Sequence, residues 1–212
     1  MKKIKMENNL HELKLKILLI GNSDVGKTSM ILKYVDNNFS EEHLSTIGIE
    51  KKYKEIVKGN YKIILDIYDT AGQERYKVIN KSFFNGANGI IFVYDITNFK
   101  SFEGIRNWMK ETELYTNFRS ILCGNKIDLD SERKVKYNEL KEYGIKKKID
   151  LFEVSAKTGE NIDKIFDKIV SLILEDKTEK EIIEEFGVLQ GKNFILTSLS
   201  KEKTGKNNCC KK

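Results

Sequence analysis

The feature that most constrains this chain is an apolar run, Leu15-Lys16-Ile17-Leu18-Leu19-Ile20, leading straight into Gly21-Asn22-Ser23-Asp24-Val25-Gly26-Lys27-Thr28. A G-x-x-x-x-G-K-[ST] loop must leave a buried strand and open a helix. Only then do consecutive backbone N–H groups and the helix N-terminus face an anion together. Both flanks comply: the run before the loop is rich in β-formers, and Lys27-Thr28-Ser29-Met30-Ile31-Leu32-Lys33-Tyr34 is compatible with a helix. The pattern therefore predicts strand, loop and helix in succession. A nucleoside phosphate would be cradled by Ser23, Asp24, Val25, Gly26, Lys27, Thr28 and Ser29.

At 212 residues the chain can form one well-buried domain, with a remainder too short for a second. Its 40% hydrophobic and 33% charged residues suit a soluble protein. No apolar run approaches the ~18 residues of a membrane span, and Met1–Asn9 is too polar for a secretory signal. The three cysteines are Cys123, inside an apolar strand, and the adjacent pair Cys209-Cys210. They form no disulfide framework, which points to the cytosol. The net charge of +6 is modest and comes without an aromatic-and-basic patch or zinc spacing, so nucleic acid is not an expected partner. The absence of proline reads as compositional bias, with no mechanism attached.

Leu13–Ile20 is predicted as the first strand and Lys27–Val35 as the first helix. Strands over Ile49–Val57 and Tyr61–Tyr68, joined by the turn Lys58-Gly59-Asn60, should pair antiparallel. Gly89–Tyr94 reads as a strand buried on both faces, and Phe102–Tyr115 as a helix with Ile105, Trp108, Met109 and Thr112 on one side. Further strands are predicted over Ser120–Gly124 and Leu151–Val154, and an amphipathic helix over Ile162–Leu174. This alternation implies a mostly parallel sheet with helices on both faces and ligands at the strands' carboxyl ends. Residues 1–12 form an N-terminal extension, 13–174 the domain, and 175–212 a tail in which Lys177–Phe186 can still extend a helix. From residue 192 onward six lysines stand against one acid, Glu202, the signature of a solvated, disordered end.

Each remaining motif follows a strand. Lys27 would reach the β- and γ-phosphates, and the Thr28 hydroxyl would ligate Mg²⁺. In Asp69-Thr70-Ala71-Gly72-Gln73-Glu74 the acid is placed to hold the metal through water, and Gly72 allows close backbone approach to the γ-phosphate. The Gln73 amide can orient a water by accepting and donating at once. In Asn125-Lys126-Ile127-Asp128 the Asp128 carboxylate can accept from N1–H and the exocyclic amine of guanine, groups that adenine lacks. The Lys126 stem can cover the base, and Ser155-Ala156-Lys157 would add a backbone N–H to guanine O6. Thr46, in an irregular stretch, could reach both Mg²⁺ and γ-phosphate and release them after hydrolysis. Trp108 reads as ordinary packing, and His11 and His43 as surface residues.

Together these motifs resemble the Ras superfamily of small GTPases, and the details resemble its Rab family, regulators of vesicle traffic. The carrying stretches are Ser45–Glu50, Asp69–Tyr76, Phe83–Ala87, Val93–Thr97, and Ser101-Phe102 with Trp108. The resemblance covers about Leu13–Leu174. It implies the P-loop GTPase fold: an α/β, six-stranded, mostly parallel sheet with one antiparallel strand and helices on both faces. It further implies Mg²⁺-dependent GTP binding and slow hydrolysis to GDP and phosphate. Lys27 and Gln73 are then the catalytic residues, and Thr28, Thr46 and Asp69 the metal site. Phe39, Asn125, Lys126, Asp128, Ser155, Ala156 and Lys157 take the guanine, with Phe39 edge-on.

By the same resemblance, Cys209 and Cys210 are geranylgeranylated, since Cys-Cys-Lys-Lys is not a C-a-a-X box. That attaches a cytoplasmic monomer peripherally to the cytosolic face of an intracellular membrane. The implied partners are an exchange factor, an activating protein, effectors at residues 37–51 and 68–84, a prenylation escort and a GDP-dissociation inhibitor. Three positions depart from the family. Lys51 replaces a phenylalanine and Tyr68 a tryptophan of a hydrophobic triad completed by Phe83, and Asn85 replaces an arginine. A fourth, Asp24, holds a loop position usually given to a small residue, with its carboxylate facing either phosphate or solvent. From the residues alone two other readings stay open: a phosphate-loop kinase or ATPase, and a module that holds GTP without hydrolysing it.

Overall fold

The strand β1 (His11–Ile20) is the axis of the computed structural model, which describes residues 10–40, 49–70, 84–112 and 118–188. β1 pairs in parallel with β3 (Tyr61–Thr70) on one side and β4 (Gly89–Asp95) on the other. β2 (Ile49–Lys58) runs antiparallel to β3 at one edge. β5 (Arg119–Asn125) and β6 (Asp150–Glu153) continue in parallel beyond β4, giving the six-stranded order β2-β3-β1-β4-β5-β6. The carboxyl ends of the five parallel strands therefore share one edge, where the described parts of the phosphate-loop, Asp69, Asn125–Asp128 and Ser155–Lys157 motifs lie. Thr46, Gly72, Gln73, Phe83, Cys209 and Cys210 fall outside the described residues.

Alternate side chains of the strands feed two separate cores. Leu13, Leu15, Ile17 and Leu19 of β1 face α1 (Lys27–Asp36), α4 (Ile162–Leu174) and α5 (Glu179–Phe186). Leu18 and Ile20 face the opposite layer, where Phe102, Ile105 and Trp108 of α2 (Phe99–Thr112) and Leu140 of α3 (Tyr137–Lys147) pack. In the first core the rings of Tyr34 and Phe166 stack at 3.8 Å and 7°. The Lys54 ammonium sits over the same Tyr34 ring, 3.7 Å from its centre. Lysines tie the edge strand β2 down elsewhere as well, through Lys52 to Asp36 at 3.0 Å and Lys58 to Asp167 at 2.5 Å. Charges used in this way also discourage edge-to-edge pairing with another sheet.

Among the described residues, α3 and α5 differ most from the sequence expectation. α3 carries no readable period because only Leu140 and Gly144 of its residues are buried, so the helix presents almost no apolar stripe. α5 belongs to the folded body rather than to a tail beginning at 175. Ile182 and Phe186 are buried in the first core, Gly187 bridges Leu13, and the Val188 N–H donates to Glu12 O at 2.9 Å. The helix opens on a capping box: the Thr178 hydroxyl accepts from the Glu181 N–H, while the Glu181 carboxylate accepts from the Thr178 N–H at 2.8 Å. Donation from the Thr178 N–H, and from its hydroxyl at 2.8 Å, holds the Glu181 carboxyl below its ordinary value.

With GDP held saturating, Phe166→Ala should lower stability by about 3–5 kcal/mol in urea unfolding, because the Tyr34 stack loses its partner. Thr178→Ala should cost about 1 kcal/mol at neutral pH. The folded Glu181 carboxyl titrates below the unfolded one, so its contribution is complete above about pH 4.3 and lost as pH falls through the depressed value. The difference between wild type and Thr178→Ala should therefore shrink as pH falls through that depressed value.

Candidate nucleotide site

The phosphate loop is shaped by what presses on it. A Cβ on Gly21 would lie 2.0 Å from Val93 O of β4, so only glycine can leave β1 there. Gly26 adopts φ +89, and a Cβ on it would lie 2.3 Å from Asn125 Nδ2. Between them Val25 is buried, Ser23 and Asp24 are exposed, and Asp24 holds a left-handed backbone at φ 61. α1 starts at once, with the Met30 N–H donating to Gly26 O at 2.9 Å. Lys27 is 5% exposed, and its ammonium donates to Gly21 O at 2.9 Å and Asn22 O at 2.7 Å. The cation is thus held over the loop whose backbone would receive phosphate.

The two described candidates for metal ligation meet. Register places Asp69 of β3 opposite Leu19, beside the loop's root, and the Thr28 hydroxyl donates to Asp69 Oδ2 at 2.5 Å. A hydroxyl and a buried carboxylate form the hard, oxygen-only donor set that Mg²⁺ takes together with substrate phosphates. Among the described residues no group of three or more His, Cys, Asp or Glu could hold a metal, and a site completed by phosphate needs none.

A cleft of about 280 Å³ lies next to the loop, lined by Phe39, Lys126, Asp128, Ala156 and Lys157 together with Gly26 and Ser29. Leu129 also lines it, a residue the motif pattern does not single out. The buried Ser155 hydroxyl donates to Asp128 Oδ1 at 2.5 Å, orienting the carboxylate. Asn125 also lines the cleft, yet its amide is spent inside the protein. Nδ2 donates to Val25 O at 2.9 Å, and Oδ1 accepts from the Ala156 N–H at 3.1 Å. Asn125 therefore joins the phosphate loop to the loop after β6, and the Ala156 N–H is engaged by it.

Asp95 lies in the stretch Val93–Thr97, but the motif pattern assigns it no role. It is buried at the end of β4 directly opposite Asn125, and its Oδ2 lies 2.7 Å from the Lys126 ammonium. Thr97 holds the other oxygen, with its N–H and hydroxyl both donating to Oδ1 at 2.8 Å. With its head held there, Lys126 presents its methylene stem to the cleft. Cys123 is no nucleophile, because burial pushes its thiol far above the ordinary range.

A family model described as the Ras family matches residues 16–175. The Ras-related protein Rab-3 of Caenorhabditis elegans is 40% identical over 166 residues, spanning 77% of this chain and 76% of that protein. The chain belongs to the Ras family, as a Rab-type small GTPase. Ras-related protein Rab-13 of Rattus norvegicus is 42% identical over 161 residues, covering 75% of this chain and 79% of its own length. Ras-related protein SEC4 of Candida albicans is 36% identical over 203 residues, covering 94% and 95%. As a Rab-type small GTPase the protein binds guanine nucleotide, hydrolyses GTP and acts in vesicle trafficking.

In this Rab-type GTPase the substituted triad positions are neighbours, Lys51 lying opposite Tyr68 across β2 and β3. The Lys51 ammonium is 2.8 Å from Asp66 and 5.7 Å from the centre of the Tyr68 ring, while Lys16 lies 5.1 Å from that ring and Lys14 is 3.2 Å from Asp66. The hydrogen bond to Asp66 holds the Lys51 amine above its ordinary value. The face is thus charged and aromatic rather than apolar. At Asp24, Asn suits a left-handed backbone and removes only the charge. Asp24→Asn should slow GDP release by about two- to fivefold, measured by displacement of a fluorescent GDP analogue.

Proposed function

We propose that this chain is a Mg²⁺-dependent, membrane-attached GTP switch whose nucleotide site is the cleft between the phosphate loop and Asp128. The observation carrying this reading is the Asn125 brace, which ties the phosphate loop and the loop after β6 around one cavity. Ser23, Asp24, Val25, Gly26, Lys27, Thr28 and Ser29 take the phosphates, with Gly72 and Thr46 at the γ end. Phe39 and the Lys126 stem enclose the guanine, Asp128 reads its N1–H and amine, and Ser155, Ala156 and Lys157 close the pocket. Asn125 contributes by bracing.

Mg²⁺ held by Thr28, Asp69 and Thr46 would supply positive charge to the β- and γ-phosphate oxygens. Lys27 neutralises further phosphate charge, and Gln73 aligns the attacking water in line with the leaving group. Among the described residues no arginine stands ready to help. Arg133 grips Glu153 at 2.6 and 3.0 Å, Arg119 begins β5 at the far end of the sheet, and Arg106 lies over Tyr143. Turnover is therefore slow until an activating protein brings a cation.

The GTPase domain spans 13–174 with α5 docked on it. The lysine-rich end beyond carries Cys209 and Cys210 as a double prenylation site. Among the described residues no helix is long and apolar enough to cross a membrane, and two lipid chains with adjacent lysines suffice for stable peripheral attachment. Exchange factor, activating protein, effectors at 37–51 and 68–84, prenylation escort and GDP-dissociation inhibitor complete the cycle.

Asp128→Asn should weaken GDP binding about ten- to a hundredfold and shift preference toward xanthine nucleotides in competition assays. Equal competition by ATP and GTP against wild type would overturn the guanine assignment. Cys209→Ser with Cys210→Ser should abolish recovery of prenylated protein on vesicles containing anionic lipid, and unchanged recovery would overturn the anchor.

A further inference from the structure

The motif reading leaves Asn22 and Trp108 without a role, yet they meet. The Trp108 indole N–H, on α2, donates to Asn22 Oδ1 in the phosphate loop at 2.9 Å, bridging 86 positions of sequence. A second observation points to the same contact. Gly104, one turn earlier on α2, leaves the space that the Asn22 amide occupies. A Cβ there would lie 2.7 Å from Asn22 Oδ1 and 2.9 Å from Nδ2. Glycine in a helix interior is unfavourable, so the space comes at a cost in helix propensity. Asn22 is also held through its backbone, since its carbonyl accepts from the Lys27 ammonium at 2.7 Å, and Gly21 before it is pressed against Val93.

We propose that Asn22, Gly104 and Trp108 form a latch by which α2 positions the phosphate loop, making Gly104 and Trp108 positioning residues for nucleotide retention. The inference rests on the assignment of phosphate binding to residues 23–29. A loop whose N–H groups bind phosphate must have its backbone ordered beforehand, or binding bears that entropy. Ser23 and Asp24 are exposed, so the packed residues where the chain enters and leaves this stretch set its course. Asn22 is that entry, fixed by an indole on a helix that the second core holds rigid.

The test uses the full-length chain loaded with a fluorescent GDP analogue, with release followed in excess GDP and Mg²⁺. Asn22→Ala and Trp108→Phe should each speed release about fivefold, the worth of one neutral hydrogen bond. The double variant should be no faster than either single one, because both remove the same contact. Gly104→Ala should speed release with little change in melting temperature, because its methyl displaces the Asn22 amide while the gain in helix propensity offsets that lost contact. A merely structural role would move both readouts in the same direction. Trp108 is the only tryptophan, so its single indole N–H resonance should shift upfield in Asn22→Ala. Release rates within twofold of wild type, or additive effects in the double variant, would overturn the latch. Lys27→Ala serves as the separate control: if it retained nucleotide as wild type does, the phosphate-site assignment would fail, whatever the latch variants do.

Discussion

Burial of β1 on both faces and pairing along both edges is the constraint on which the remaining structure depends. Leu15, Ile17 and Leu19 enter one core and Leu18 and Ile20 the other, while β3 and β4 occupy the two edges. A shift of one residue would exchange the two faces of the strand, so its register is tightly held. That register sets Asp69 opposite Leu19 and brings β4 against Gly21. The phosphate loop therefore begins at a fixed point, already beside the carboxylate that its threonine meets.

The loops at the carboxyl edge hold one another. Asn125 bonds Val25 O and the Ala156 N–H, Ser155 bonds Asp128, Asp95 takes the Lys126 head, and Trp108 takes Asn22. These are side-chain bonds between segments far apart in sequence. Each satisfies a buried polar side chain, that of Asn125, Ser155, Asp95 or Trp108, which would be left unpaired if its partner were lost. A site built in this way is ordered before ligand arrives, which spares binding the cost of ordering it.

The departures from the family pattern fall on the β2–β3 sheet face and on the loop tip. Lys51, Lys14 and Lys16 gather around Asp66 and Tyr68, giving a cationic and aromatic sheet face where the family has an apolar one. Asp24 stands exposed at the tip in a left-handed conformation. Lys51 and Asp24 stay outside both cores, whereas Tyr68 packs against the second.

Local pattern was enough to read β1, the phosphate loop, α1, the antiparallel pair β2 and β3, and α4, because each has an apolar period or a turn signal of its own. It also singled out Lys27, Thr28, Asp69 and Asp128 as candidates, whose proposed chemistry is tied to short motifs. α3 was illegible because it buries only Leu140 and Gly144, and the docking of α5 because Ile182 and Phe186 are too few to distinguish a packed helix from a solvated one. Sequence by itself determined the fold class and the ligand chemistry, since both are written in residues within a few positions of one another. Only the tertiary structure decided that Asn125 braces two loops, that Asp95 holds Lys126, and that Trp108 holds Asn22. Each of those depends on which strand end or helix face lies within hydrogen-bond reach across the sheet's edge, and such a distance has no signature in a linear chain.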